Sequence, residues 1–251
     1  MANYHLEIST VSRRHGQSVT RLANYITGEC LHDDYLDTTF YTRRSDVLDC
    51  RIFQPSHAPD HFHDLQGLCT AIEQAEKRWD ARTARQFKGS LPNELPLEEL
   101  RRIVAEFIGC CFLDHDLCAI AAIHEGRNQT DPTRNNPHAH IIVPTRTIEA
   151  AGFSCKKDRE SDKLEYIHRW RERWAVVQNA AYERNGLDVR VSHESLRDQG
   201  INRLPIPHLS RIDWQKERRG ERPPAGDRKR EIEAHNRTVA HSVKRNMSRK
   251  R

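Results

Sequence analysis

Two short apolar runs near the middle of the chain limit the folds open to it. Leu117 to Ile123 is continuously apolar, and a second run follows His138, ending in Ile141-Ile142-Val143. Each has the length of a buried strand, not of a helix. Between them, Gly126 to Pro137 is rich in Asn, Asp and Pro, residues that belong to turns. Two buried strands joined through a turn predict an antiparallel pair inside a sheet. The remaining chain supplies more strands and helices. Residues 3 to 11 alternate Tyr4, Leu6 and Ile8 with His5, Glu7 and Ser9, the pattern of a half-buried strand. From Gln17 to Cys30, the residues Val19, Leu22, Ala23, Ile26 and Cys30 form one helical stripe.

Asp33 to Pro59 has no clean period and reads as a long loop or mobile flap. A helix is expected from about His61 to Arg82, a short strand from Arg85 to Leu91, and an amphipathic helix carrying Leu97, Leu100, Val104, Phe107, Ile108 and Cys111. Leu164, Ile167, Trp170, Trp174, Val177 and Ala181 mark a long helix stopping near Gly186, after which Val189 and Val191 start another strand. Short strands with helices at irregular intervals predict an α+β fold, an antiparallel sheet with helices on one face.

At 251 residues, 36% hydrophobic, the chain has enough apolar material for one globular domain and an appendage. A mean hydropathy of −0.85 and apolar runs far short of a bilayer span exclude a membrane-inserted protein. The opening Met1-Ala2-Asn3-Tyr4-His5-Leu6-Glu7 has no basic segment followed by an apolar stretch, so the expected compartment is the cytoplasm. Seven cysteines without a CxxC pair are expected to stay reduced. The net charge of +5 is unevenly placed: Arg211 to Arg251 holds 14 Lys/Arg against 6 Asp/Glu, leaving 27 against 30 for the rest. A cationic tail on a near-neutral domain suits a polyanionic partner, although a solvated helical tail has the same composition.

The chemistry centres on Asn136-Pro137-His138-Ala139-His140. Residues two apart on a strand share a face, so His138 and His140 offer two imidazoles to one ion. His124 ends the preceding strand, and antiparallel pairing brings it beside them. A lone His-x-His is weak ground for a metal site; a third histidine with open coordination positions suggests a catalytic one. The second His-x-His, His61-Phe62-His63, falls at a helix start, where residues two apart diverge. No Gly-rich phosphate-binding loop is present. Tyr25 lies off the stripe of its helix, either as an ordinary exposed residue or with its hydroxyl in a cleft beside the first strand; spacing admits both.

Several segments together resemble the MobA/MobL-type mobilisation relaxases of the HUH endonuclease superfamily. They are Tyr4-His5-Leu6, Gly16-Gln17-Ser18, Ala23-Asn24-Tyr25-Ile26, Leu91-Pro92-Asn93-Glu94-Leu95, Ala122-Ile123-His124, Asn136 to Ile141, and Gln199-Gly200-Ile201-Asn202-Arg203-Leu204-Pro205 with the later His208. They follow the family's order over about residues 2 to 210. The resemblance implies an HUH relaxase-like sheet packed with helices over 1–210 and a basic helical or flexible tail over 211–251. It implies Tyr25 as nucleophile and His124, His138 and His140 as ligands of a divalent cation, Mn²⁺ or Mg²⁺, with Zn²⁺ also compatible. The implied substrate is single-stranded DNA at a plasmid origin of transfer, nicked through a 5′-phosphotyrosine for conjugative mobilisation. Implied partners are accessory mobilisation proteins and the secretion machinery, with export alongside the DNA into a recipient cell.

Arg13, Arg14, Arg43, Arg44, Arg127, Arg134 and Arg146 flank the expected site in sequence and are candidate phosphate contacts, with Phe40 and Tyr41 as stacking surfaces. Of the tyrosines, only Tyr25 matches the family motif. One departure stands out. The family's strand before the Leu-Pro turn usually carries glutamates, whereas this chain has Gln86-Phe87-Lys88-Gly89-Ser90-Leu91-Pro92. An acid there orients an imidazole or favours the cation, so Gln86 and Lys88 predict weaker metal binding, or no cleavage in the extreme. Two other readings compete: an inactive origin-binding accessory protein, and a small-phosphoester metallohydrolase.

Overall fold

The computed structural model describes residues 4–207 and 209–248; His208 lies outside the described residues. Contacts divide the chain into two compact units, Met1–His193 and Glu194–Arg251, which places residues 194–210 with the tail.

The first unit begins with β1 (Leu6–Ser12), a 3₁₀ turn and α1 (Val19–Thr27), then β2 (Leu31–Asp33), β3 (Thr38–Phe40) and β4 (Val47–Phe53). α2 (Leu65–Gln74), β5 (Arg82–Ser90) and α3 (Leu97–Cys111) follow. The two apolar runs become β6 (Ala119–His124) and β7 (His138–Pro144), and β8 (Arg146–Glu149), β9 (Gly152–Lys157) and α4 (Leu164–Arg184) complete the unit. Five strands form one antiparallel sheet in the order β1-β5-β7-β6-β4, with β7 at its centre. The expected α+β class and the central antiparallel pair are present.

Strand alternation sends side chains to two separate cores. Phe87, Ala119, Ala121, Ile123, Ala139, Ile141 and Val143 pack against α3 and α4. Ala84, Ile120, Ala122 and Ile142 pack beneath α1 and α2. Helices therefore cover both faces, which corrects the expectation of one. A sheet whose central strands carry apolar side chains on both faces has two faces to bury, and a single helical layer leaves one of them wet. By the same alternation, His124, His138 and His140 lie on the α1/α2 face.

Other differences have local causes. The expected flap over 33–59 contains the β2–β3 hairpin and β4, an edge strand of the main sheet. β4 shows no period because a bulge between Val47 and Asp49 shifts its register and every residue is half-buried or exposed. α2 stops at Gln74, not near Arg82, although no Gly or Pro marks its end; Trp79 and Asp80 form a turn closed by the Ala81 amide on the Arg78 carbonyl, and Arg78 pairs with Asp80 at 2.8 Å. The β8–β9 hairpin was not anticipated. Val189 and Val191 are not a strand: the Asn179 side chain donates to the Val191 carbonyl and accepts from its amide, taking the place of a neighbouring strand.

In the second unit, α5 (Arg211–Arg218) and α6 (Pro224–Ser248) are joined by Arg230 to Glu217 at 2.7 Å, and the Asn236 amide brackets the Leu204 backbone. Over its described residues, the tail expected to be helical or flexible is mostly helical. Among the described residues, no helix is long and apolar enough to cross a membrane.

Candidate functional site

Pairing of β6 with β7 sets His124 opposite His138 and Ala122 opposite His140. Ring centroids are 5.3 Å apart for His124 and His138, 4.6 Å for His124 and His140, and 5.0 Å for His138 and His140. One nitrogen from each ring falls within 4.8 Å of the others, a spacing that can hold a metal ion. Among the described residues, this is the one such grouping; His61 and His63 are not part of any.

Two of the three rings are oriented by backbone carbonyls. His124 Nε2 donates to the Ile26 carbonyl at 2.7 Å, and His138 Nδ1 donates to the Asn136 carbonyl at 2.8 Å. Because a carbonyl only accepts, each bond fixes a tautomer and leaves the other nitrogen, His124 Nδ1 or His138 Nε2, with a lone pair for a cation. Gly126, at φ +58°, lets the Asn136 carbonyl come this close; a Cβ there would collide with its oxygen. His140 differs, since both of its buried nitrogens lack a partner. Burial, then neighbouring charge, pushes all three imidazoles below the usual histidine range, to about 2 at His140. Neutral rings with unpaired nitrogens in a buried cluster are the donor set of an imidazole-bound cation, so these residues fit one.

Tyr25 stands in the last turn of α1, 49% exposed, with its ring edge-on to His140 at 6.3 Å. The Ser18 hydroxyl caps the helix by accepting from the Arg21 amide, and Gly28 at φ +78° ends it. Arg44 holds the tyrosine from the side: its guanidinium sits 4.7 Å from the ring centroid, donates to the Tyr25 carbonyl at 3.1 Å and grips Asp46 with bonds of 2.9 and 2.7 Å. The Arg44 hydrogen bond draws the Asp46 carboxyl down to about 2. Next to Tyr25, the Asn24 amide donates to the carbonyls of Glu29 and Phe40 and accepts from Thr42, tying the segment before Arg44 to α1. Of the other tyrosines, Tyr4 donates to the Arg171 carbonyl, Tyr35 stacks under Arg13, Tyr182 is buried in the α3/α4 core, Tyr166 packs on Trp170, and Tyr41 is exposed on the segment before Arg44.

The seven candidate arginines separate. Arg44 is at the site. Arg43 is exposed on the same segment, and exposed Arg127 and Arg134 lie in the loop joining His124 to His138, where Arg127 pairs with Glu125. Arg13 is not available to a substrate: it is buried in an ion pair with Glu73 at 2.8 Å and also donates to the Glu73 and Glu76 carbonyls. Arg146 pairs with Glu76 beyond the far end of β7, eight residues after His138, and the strand alone puts about 20 Å between them. Arg14 is exposed, with its charge acting on Asp80 in the loop after α2.

Gln86 and Lys88 lie on the triad's face. Register sets Lys88 opposite His140 on one side and opposite Glu7 on the other. An ammonium cannot accept from His140, which accounts for the one ring without an orienting partner. Arg44 and Asp46 were legible only as one candidate phosphate contact, and the orienting carbonyls of Ile26 and Asn136 left no sequence signal, since every residue carries a carbonyl.

With this geometry in place, comparison with known proteins is informative. Residues 17–219 match the MobA/MobL family. The chain is 29% identical to the probable mobilization protein MobA of Bifidobacterium longum strain NCC 2705, over 83% of this chain and 43% of that protein. It spans about half the length of the curated relatives it matches. A solved structure described as the molecular basis of vancomycin resistance transfer in Staphylococcus aureus superposes with a TM-score of 0.69 at 27% identity, over 77% of this chain and 100% of that one. A metal-bound conjugative relaxase TrwC in complex with oriT DNA gives 0.52 at 12% identity, over 87% and 85%, a likeness of fold.

Proposed function

Because the chain belongs to the MobA/MobL family, we propose that it is a relaxase that nicks one DNA strand at a plasmid origin of transfer through a 5′-phosphotyrosine. The observation that carries this reading is the half-exposed Tyr25 ring 6.3 Å from His140, at the edge of three mutually close histidines. A small-phosphoester hydrolase needs no tyrosine there, nor an arginine that holds it.

In this mechanism, the Tyr25 hydroxyl oxygen attacks phosphorus in line and gives its proton to water, the bond from phosphorus to the 3′ oxygen breaks, and that oxygen takes a proton from water to leave as a 3′ hydroxyl, so the phosphoester bond is kept on the protein for later rejoining. Arg44 fixes the ring through stacking and through the Tyr25 carbonyl, limiting its rotation away from the triad. His124 Nδ1, His138 Nε2 and His140 would hold a divalent cation, Mn²⁺ or Mg²⁺ by family resemblance, which polarises the phosphate oxygens when bound. Arg43, Arg127 and Arg134 contact phosphates of the flanking strand, and the basic tail over 211–251 adds attraction that carries no base information. Accessory mobilisation proteins and a secretion apparatus are the proposed protein partners, with the protein acting in the bacterial cytoplasm before export.

The test is incubation with a labelled single-stranded transfer-origin oligonucleotide and Mn²⁺, followed by a denaturing gel. Wild type is expected to carry DNA covalently, and Tyr25→Phe to lose the adduct with DNA affinity nearly unchanged, since only the attacking oxygen is removed. An adduct that persists in Tyr25→Phe assigns the attack to another residue. Wild-type binding without any adduct would make the protein an origin-binding accessory.

A further inference from the structure

At the end of the sheet opposite the histidines, a groove of about 1190 Å³ runs between the loop after α2 and the β8–β9 hairpin. Its carboxylates are already engaged: Asp80 by Arg78, Asp162 by Arg82, Glu76 by both Arg146 and Lys157, and Glu160 by Lys163. Lys77, Lys156 and Arg159 remain on the lining, all exposed and, among the described residues, without a carboxylate partner. Three uncompensated cations in a concave surface concentrate anions there. Trp79 projects from the same loop, 69% exposed, while Trp170 and Trp174 of this unit are buried. Trp79 is not itself on the lining but stands between Arg78 and Asp80, which are, and an exposed indole next to a cationic groove has the composition of a stacking platform for unpaired bases.

A second, smaller pocket lies beside Tyr25. It has a volume of about 240 Å³ and is lined by Gly16, Gln17, Arg21 and Gln86, with Arg14 exposed two residues before Gly16. We propose that this groove is a second binding surface for single-stranded DNA, engaging the strand about 20 Å from the triad. Placing both surfaces on one strand rests on the relaxase reading; binding at the groove does not. Lys77, Lys156 and Arg159 neutralise phosphates, Trp79 stacks on a base, and the ion-paired arginines shape the walls.

The experiment is fluorescence anisotropy of the full chain with labelled oligothymidine of about 30 nucleotides, long enough to cover both surfaces, titrated with salt in chelator. Trp79→Ala is expected to weaken binding about tenfold. The combined Lys77→Gln, Lys156→Gln and Arg159→Gln variant is expected to lower the slope of log affinity against log salt by about 2. All four positions are exposed, so unchanged melting temperatures check the fold. Unchanged affinity in Trp79→Ala together with an unchanged slope in the triple variant overturns the proposal. So does a triple variant that loses pyrophosphate binding while holding oligothymidine as wild type does, because the groove is then a small-anion site. Neither readout needs cleavage, so failure of the Tyr25 adduct and failure of the groove are separate results.

Discussion

Under α3 and α4 the sheet is sealed by aromatic rings, whereas under α1 and α2 the cover stops at Ile26 and leaves the histidines at its edge. On the sealed face, Phe87 contacts Phe107, Phe112 and Trp170 with centroids 5.0 to 6.3 Å apart, and Trp174 lies against Phe107 at 5.0 Å. Trp174 reaches the sheet because position 89 is glycine: a Cβ there would be 2.5 Å from its ring. On the other face, α1 reaches the triad through the Ile26 carbonyl and the Tyr25 ring. One face of the same strands is used for stability, and the end of the other holds polar groups that packing has left unpaired.

Exchanging the damage between faces is the sharpest way to break this contrast. Trp174→Ala removes the largest fully buried side chain and is expected to cost about 3–5 kcal/mol of stability in denaturant unfolding, with metal affinity unchanged at temperatures where the protein stays folded. His138→Ala is expected to do the reverse. Stability measured in chelator changes little, and Mn²⁺ affinity by calorimetric titration falls about 100-fold or more, since loss of an outer-shell partner alone costs 10–100-fold. Equal metal affinities in His138→Ala and wild type would remove this residue from the site, and a Trp174→Ala protein as stable as wild type would mean that the aromatic face is not the main source of stability.

A smaller effect comes from protons. Burial holds His140 neutral, with its pKa pushed down to about 2, while in the unfolded chain it takes up a proton near pH 6.5. As pH falls below 6.5, the unfolded state therefore binds more protons than the native state, and metal-free stability drops. For this one residue the loss between pH 7 and pH 5 is about 2 kcal/mol, which His140→Asn should abolish. The check is the stability of both proteins in chelator at the two pH values; parallel pH dependences would show that His140 is already protonated, or equally solvated, in the native state.

How much of this was legible depended on whether a residue's role followed from a repeating pattern or from a long-range neighbour. The period of 2 placed His138 and His140 on one face, and the turn-rich linker brought His124 to them. The same alternation failed for β4, where a bulge resets the faces, and for Val189 and Val191, where the Asn179 amide twelve residues back in the helix takes up the Val191 backbone. Arginines were the least readable. Arg146 follows β7 closely in sequence, yet the length of that strand carries it to the far end of the sheet, and Arg13, near Tyr25 in sequence, is consumed by Glu73. Proximity along the chain says little about a residue that follows a strand.

The smallest expected effect tests the open face at its one irregular position. In the family this strand resembles, glutamates precede the Leu-Pro turn, and here those positions are Gln86 and Lys88. Both lie on the triad's face: Lys88 is opposite His140, and Gln86 lines the pocket beside Tyr25. His140 is correspondingly the ring whose nitrogens have no partner, and the nearest acid in that row, Glu7, is one strand further out, beyond Lys88. A carboxylate at position 88 would accept from His140, fix its tautomer and attract the cation, whereas the ammonium does none of these and repels it. Lys88 is exposed, so water screens much of this charge, and reversing its sign is worth about 1–2 kcal/mol. Gln86→Glu combined with Lys88→Glu is therefore expected to lower the Mn²⁺ concentration for half-maximal nicking about tenfold, with calorimetric affinity rising by the same factor. If neither quantity moves, His140 is oriented without help from β5, and the open face tolerates a cation opposite its ligand at no cost to metal binding.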